Sequence, residues 1–190
     1  MIHALRPARP HLLPQKALEV RRNLRRPEKV ADTLQAIGSL KLKQTKLEEC
    51  EVFFREALSL RETMQTLKGD SHERRVAQDL GQSHTTLGNL YMQMSEGEGN
   101  SESERVELYR KALEEFAESG EAYARGLHEK HPKVAWALEG LARGHEKLGQ
   151  LEEALGWYER VYEIRHGASH GGAANYSPEK DTTMRKVEEV

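Results

Sequence analysis

Between residues 131 and 165 (HPKVAWALEGLARGHEKLGQLEEALGWYERVYEIR) one side of the chain is marked out at steps of three and four. Val134, Leu138, Leu141, Ala142, His145 and Leu148 form one series. After Gly149-Gln150 the stepping resumes at Leu151, Ala154, Leu155, Tyr158, Val161 and Tyr162. Such steps stay on one face of a helix, so the pattern predicts two amphipathic helices joined by a tight turn. A hairpin of this kind cannot bury its stripes alone and needs neighbours like itself.

The chain supplies them. At an offset of 104 residues Val30-Ala31 answers Val134-Ala135, Leu34 answers Leu138, and Ile37-Gly38 answers Leu141-Ala142. Leu47-Glu48-Glu49 answers Leu151-Glu152-Glu153, Cys50 answers Ala154, Phe54 answers Tyr158, Ala57 answers Val161 and Arg61 answers Arg165. A middle copy reads at Leu87-Gly88-Asn89-Leu90-Tyr91 and continues at Tyr109, Ala112 and Leu113. Small residues (Gly38, Gly88, Ala142) are expected where helices cross closely, with aromatics (Phe54, Tyr109, Tyr158) filling the space beside them.

These copies resemble the tetratricopeptide repeat, with its L-G-x-x-Y, A-x-x-x-F and A positions. The sub-type is similar to that of kinesin light chains, in which His-Pro and Val-Ala open each unit. Here His131-Pro132-Lys133-Val134-Ala135 matches, and Pro27-Glu28-Lys29-Val30-Ala31 matches in part. The resemblance covers residues 15–166 and implies an all-α solenoid of helical hairpins. Its repeats are irregular and overlong, since two regular units of about 34–42 residues would span less than the observed offset.

In chain order, residues 1–14 read as an irregular basic tail broken by Pro7, Pro10 and Pro14. Residues 15–166 read as the array: a capping helix from Gln15 to Arg25, then three hairpins. The expected helices lie near 28–43, 46–68, 71–94, 101–129, 134–148 and 151–165. Gly69 is a C-cap signal, Asp70 with Glu73 and Ser101 with Glu104 are capping-box signals, and Gly120 is a weak point inside its helix. Residues 167–176 read as a flexible linker. Residues 177–190 read as a short terminal helix, with Ser177 at its N-cap, able to fold back as a cap.

Composition then narrows the function. Residues 1–26 carry seven Arg or Lys against Glu19 alone, whereas the remainder holds 22 bases against 30 acids. A nucleic-acid binder would want a basic folded face, so none is expected as partner. No run of 18 apolar residues suggests a membrane span. The arginine-bearing start raises a mitochondrial targeting peptide as the alternative to a cytoplasmic, intracellular protein. The single Cys50 answers a small core residue and reads as buried packing.

No chemistry converges. His128 and His131 are separated by Glu129-Lys130, not in H-E-x-x-H spacing, and His166 and His170 lack a third ligand. No phosphate loop, G-x-S-x-G or Cys–His pairing is present, so neither an enzyme nor a metal or other cofactor is expected. The resemblance implies instead a groove lined by the first helix of each hairpin. By register its partner-binding residues are Gln35 and Ser39, Thr85 and Asn89, and Trp136, Glu139, Arg143 and Glu146. Family members that clamp a peptide's terminal carboxylate use a Lys, Asn and Arg set, of which Asn89 and Arg143 are matched. The paired asparagines of kinesin light chain grooves are replaced by Gln35-Ala36, Thr85-Thr86 and Glu139-Gly140. The expected function is a non-catalytic scaffold or adaptor for a protein or peptide partner. The alternatives are a structural subunit of a large assembly and a regulatory subunit of an enzyme. Oligomeric state is not legible.

Overall fold

Apolar steps of three and four become helices throughout: every regular element among the described residues of the computed structural model is α-helical. Those residues are 12–23, 26–67 and 70–167. The expectations for residues 1–11, Gly69 and the segment 168–190 lie outside them. The chain divides into two compact units, Met1–Leu67 and Lys68–Val190.

The first unit holds α1 (Leu12–Asn23), α2 (Pro27–Leu42) and α3 (Leu47–Leu67). Pro14 falls inside the first turn of α1 rather than ending a tail, because a proline there removes an N–H that has no intrahelical acceptor. Leu18 of α1 is buried with Val30, Ala31, Leu34 and Ile37 of α2 and Ala57 of α3. Gly38 lies so close to the Phe54 ring that a Cβ at this position would collide with it. Cys50 is fully buried as expected; its thiol donates to the Lys46 carbonyl at 3.0 Å, and burial raises its pKa.

The second unit holds α4 (Asp70–Ser95), α5 (Glu102–Gly126), α6 (Pro132–Lys147) and α7 (Leu151–Gly167), each packed on the next. Ser101 and Glu104 form the capping box of α5, with both reciprocal bonds present. Helix α5 runs unbroken through Gly120, which is buried beside Ala137 and Leu138 of α6. At 26 and 25 residues, α4 and α5 are the overlong pair. They are joined by polar contacts as well as apolar ones: Thr85 Oγ1 meets Ser119 Oγ at 2.6 Å, Ser119 donates to the Gly81 carbonyl, and His84 Nδ1 lies 2.8 Å from Glu115. The aromatic beside Gly88 is Phe116, not Tyr109 as the register suggested, because the extra residues between α4 and α5 shift the pairing.

The 104-residue register extends to the turns. Thr45 and Gly149, equivalent by that offset, both take left-handed backbone, with φ of 59° and 73°. In each turn the next residue's N–H reaches back to a helix carbonyl, Lys46 to Lys41 at 3.1 Å and Gln150 to His145 at 2.9 Å. These bonds satisfy orphan carbonyls at a helix end.

Helix α6 opens on His131 as N-cap, whose Nδ1 accepts from the Lys133 N–H at 3.1 Å, with Pro132 in the first turn. Only the neutral ring can accept. Burial, then His128 and Lys133, hold the His131 pKa below its usual 6.5. A depressed folded pKa means that the cap's contribution is complete above the unfolded pKa and is lost as pH falls through the folded value. Amide exchange at Lys133 is therefore expected to quicken relative to mid-helix amides below about pH 6.5. His131→Asn should remove that pH dependence. Exchange insensitive to pH in the unaltered chain, after correction for intrinsic rates, would disprove the capping role.

Candidate peptide-binding wall

Helix α6 is used on all sides, and its periodicity assigns each one. Ala137, Gly140 and Gly144 face α5, where Gly140 and Gly144 lie against Phe116 and Leu113. Ala142 is buried with Ala154 and Tyr158 of α7. Between those flanks lie two opposite faces. One carries Trp136, Glu139, Arg143 and Glu146, and the other carries Val134, Leu138, Leu141 and His145.

The first face meets α4. Successive hairpins make α4 and α6 run the same way, and their carboxyl-terminal halves enclose a recess of about 360 Å³. Asn89, Gln93 and Glu96 line it from the α4 side, and Arg143, Glu146 and Lys147 from α6. Arg143 Nη2 donates to Asn89 Oδ1 at 3.4 Å, a long bond that leaves most of the guanidinium fork open. The neighbouring carboxylates are committed elsewhere. Glu146 accepts from the Tyr158 hydroxyl at 2.7 Å and Glu139 from Arg165 at 2.6 Å. Burial, then the bond to Glu146, push the Tyr158 phenol far above its usual value, so it stays a donor at any ordinary pH. Trp136 is 56% exposed two turns before Arg143.

Of the sequence-derived candidates, Asn89, Arg143 and Glu146 thus meet in one recess, and Trp136 continues the same face of α6. Thr85 is turned toward α5, its hydroxyl 2.6 Å from that of Ser119, which donates on to the Gly81 carbonyl. Glu139 is part of a clasp inside its hairpin. The clasp recurs in the first unit, where Arg61, equivalent to Arg165, donates to Gln35, equivalent to Glu139, at 3.2 Å. Ser39 donates to the Gln35 carbonyl. Gln35 and Ser39 belong to the first unit and Asn89 and Arg143 to the second. Gln93, Glu96 and Lys147 also line the recess and were not among the sequence candidates; continuing the same helical face one or two turns past Asn89 and Arg143 would have included them.

Among the described residues no group of three or more His, Cys, Asp or Glu could hold a metal ion, and no helix is long and apolar enough to cross a membrane. His128 and His131 meet only ring edge to ring face, centroids 5.4 Å apart.

Models of the tetratricopeptide repeat match residues 31–64 and 99–165. No curated protein matches the chain. The solved structure of BtubC (BKLC) from P. vanneervenii is similar at a TM-score of 0.60 and 19% identity, covering 93% of this chain and 61% of that one. At that identity the likeness is one of fold, and this chain spans about three fifths of that protein's length. The fold is all-α and of tetratricopeptide type, and the chain is a repeat protein.

Proposed function

We propose that this tetratricopeptide-repeat protein is a non-catalytic scaffold or adaptor whose α4–α6 wall binds an extended segment of a partner protein. Repeats of this family generally mediate protein–protein interaction. The observation that carries the reading is Arg143: a guanidinium with one long bond, beside a recess, next to carboxylates already bonded to Tyr158 and Arg165. Such a group can take a partner carboxylate in a bidentate fork. The Asn89 amide offers a donor and an acceptor to an extended backbone, and exposed Trp136 offers a large apolar contact. The partner segment therefore carries an acidic residue near an apolar one. The His131-Pro132-Lys133-Val134-Ala135 opening supports the kinesin light chain sub-type for these repeats; its cargo class is not carried over.

Display selection of random peptides on the full chain tests the chemistry. Enriched sequences should pair Asp or Glu with a bulky apolar residue, and nuclear magnetic resonance shifts on binding should centre on Asn89, Trp136 and Arg143. Enrichment of basic sequences, or shifts confined to other helices, would refute the wall. The structural-subunit reading is favoured by one observation, the apolar face on the other side of α6.

A further inference from the structure

Val134 and Leu141 are buried as their stripe predicts, but Leu138 is only partly covered, and together the three form the floor of an open trough of about 590 Å³. Its sides are α5 and α7, two helices that each pack on α6. Leu113, Ala117 and Ala124 contribute from α5, and Trp157 and Ile164 from α7. From Leu113 to Ala124 the trough runs for about 16 Å, three turns of helix. Small side chains at Ala117 and Ala124 allow close approach of another backbone along this length. The polar residues of the trough are unequal. Arg160 is paired with Glu163 at 3.0 Å, and His145 is bonded to Gln150 at 2.8 Å. Glu114 and Glu121, two turns apart on α5, and Glu129 in the turn before α6 are exposed, and none has an ion-pair partner among the described residues. The unspent charge of the rim is therefore acidic.

We infer that this trough is a second docking surface, fitted to an amphipathic helix of a partner protein with an apolar stripe bordered on one edge by lysine or arginine. A helix fits because the trough is apolar along its floor and framed by two helices with a third beneath. Its anchors would enter at three- and four-residue steps. Basic residues seven apart on the partner would stand opposite Glu114 and Glu121. Their attraction selects the partner and its orientation more than it adds affinity, since the carboxylates are exposed. The surface lies on the face of α6 opposite Trp136 and Arg143, so it does not depend on the wall reading, and either can fail alone.

The test uses the full chain with Trp136→Phe. The chain has two tryptophans, so this leaves Trp157, inside the trough, as the reporter. Two synthetic helical peptides of about 18 residues share one leucine stripe and carry either lysine or glutamate along its edge. The lysine-edged peptide should shift Trp157 emission and bind at least about tenfold more tightly than the glutamate-edged one, with the gap narrowing as salt rises. Glu114→Lys with Glu121→Lys, at two exposed positions, should reverse the preference. Equal binding of both peptides, no binding of either, or a preference unchanged by the charge swap would overturn the inference. So would binding that appears only after deletion of residues 168–190, which would make the chain's own carboxyl-terminal segment the occupant. A dimer broken by Ala117→Arg would likewise overturn it in favour of a second copy.

Discussion

Phe116→Ala is expected to lower the stability of the second unit by about 3–5 kcal/mol, the usual cost of removing a buried phenylalanine. The ring is 1% exposed and is clamped between two glycines of different helices. A Cβ at Gly88 of α4 would stand 2.9 Å from it, and one at Gly140 of α6 would stand 2.5 Å away. The surrounding helices cannot relax inward easily, because α4 and α5 are also fixed by the Thr85–Ser119–Gly81 bonds. The cavity therefore persists, which places the loss in the upper part of the range. Gly140→Ala is the converse defect, an overpacked contact costing about 1–3 kcal/mol. The two changes share one space, so Gly140→Ala should cost much less when Phe116 is already leucine. Urea unfolding followed by circular dichroism measures both, with the two units allowed separate transitions. A Phe116→Ala midpoint no lower than that of a surface substitution would mean that the packing at this crossing is wrong.

That crossing also marks how far the sequence could be read. Where the two outer copies keep the same length, residue-by-residue matching holds in detail. Phe54 lies on Gly38, Tyr158 is buried with Ala142, Cys50 and Ala154 are both fully buried, and Thr45 and Gly149 make the same left-handed turn. In the middle copy the insertions change which aromatic reaches which glycine, and Gly88 meets Phe116. A few added residues in a turn rotate the next helix, and periodicity alone does not report that rotation. The wall was legible in part for a related reason. Helical spacing grouped Trp136, Glu139 and Arg143, but it could not show that Glu139 is held by Arg165 or that Thr85 bonds across to α5. Nor could it show that Leu138, on the same stripe as buried Leu141, stays partly uncovered at the edge of an open trough. A stripe shows that a face is apolar; only the position of neighbouring helices shows whether it is covered.

Arg143→Ala is expected to weaken binding of a wall-directed peptide by on the order of 2 kcal/mol, about 30-fold, while leaving the fold intact. The reason for a large effect is the environment of the guanidinium. Its long bond to Asn89 is the contact it makes within the recess, so an incoming carboxylate meets a donor fork with little to displace. The recess also lies at the carboxyl-terminal ends of α4 and α6, whose carbonyl ends and the Glu96 side chain disfavour an anion there unless Arg143 and Lys147 oppose them. Removing Arg143 thus both deletes an attraction and unmasks a repulsion. Arg143→Lys should recover only part of the affinity, because an ammonium does not offer the planar fork. Arg143 is exposed and unclasped, unlike Arg61 and Arg165, so thermal unfolding of Arg143→Ala should stay close to that of the unaltered chain.

The most direct test of the wall is one binding series with a selected peptide, measured by calorimetry on four forms of the protein. They are the unaltered chain, Asn89→Ala, Arg143→Ala, and a chain lacking residues 1–11, a deletion that leaves α1 whole. The wall predicts a clear loss with Asn89→Ala, the largest loss with Arg143→Ala, and none with the deletion. If the deletion alone abolishes binding while both substitutions bind normally, recognition belongs to the basic amino-terminal segment, and the α4–α6 wall is not the binding site.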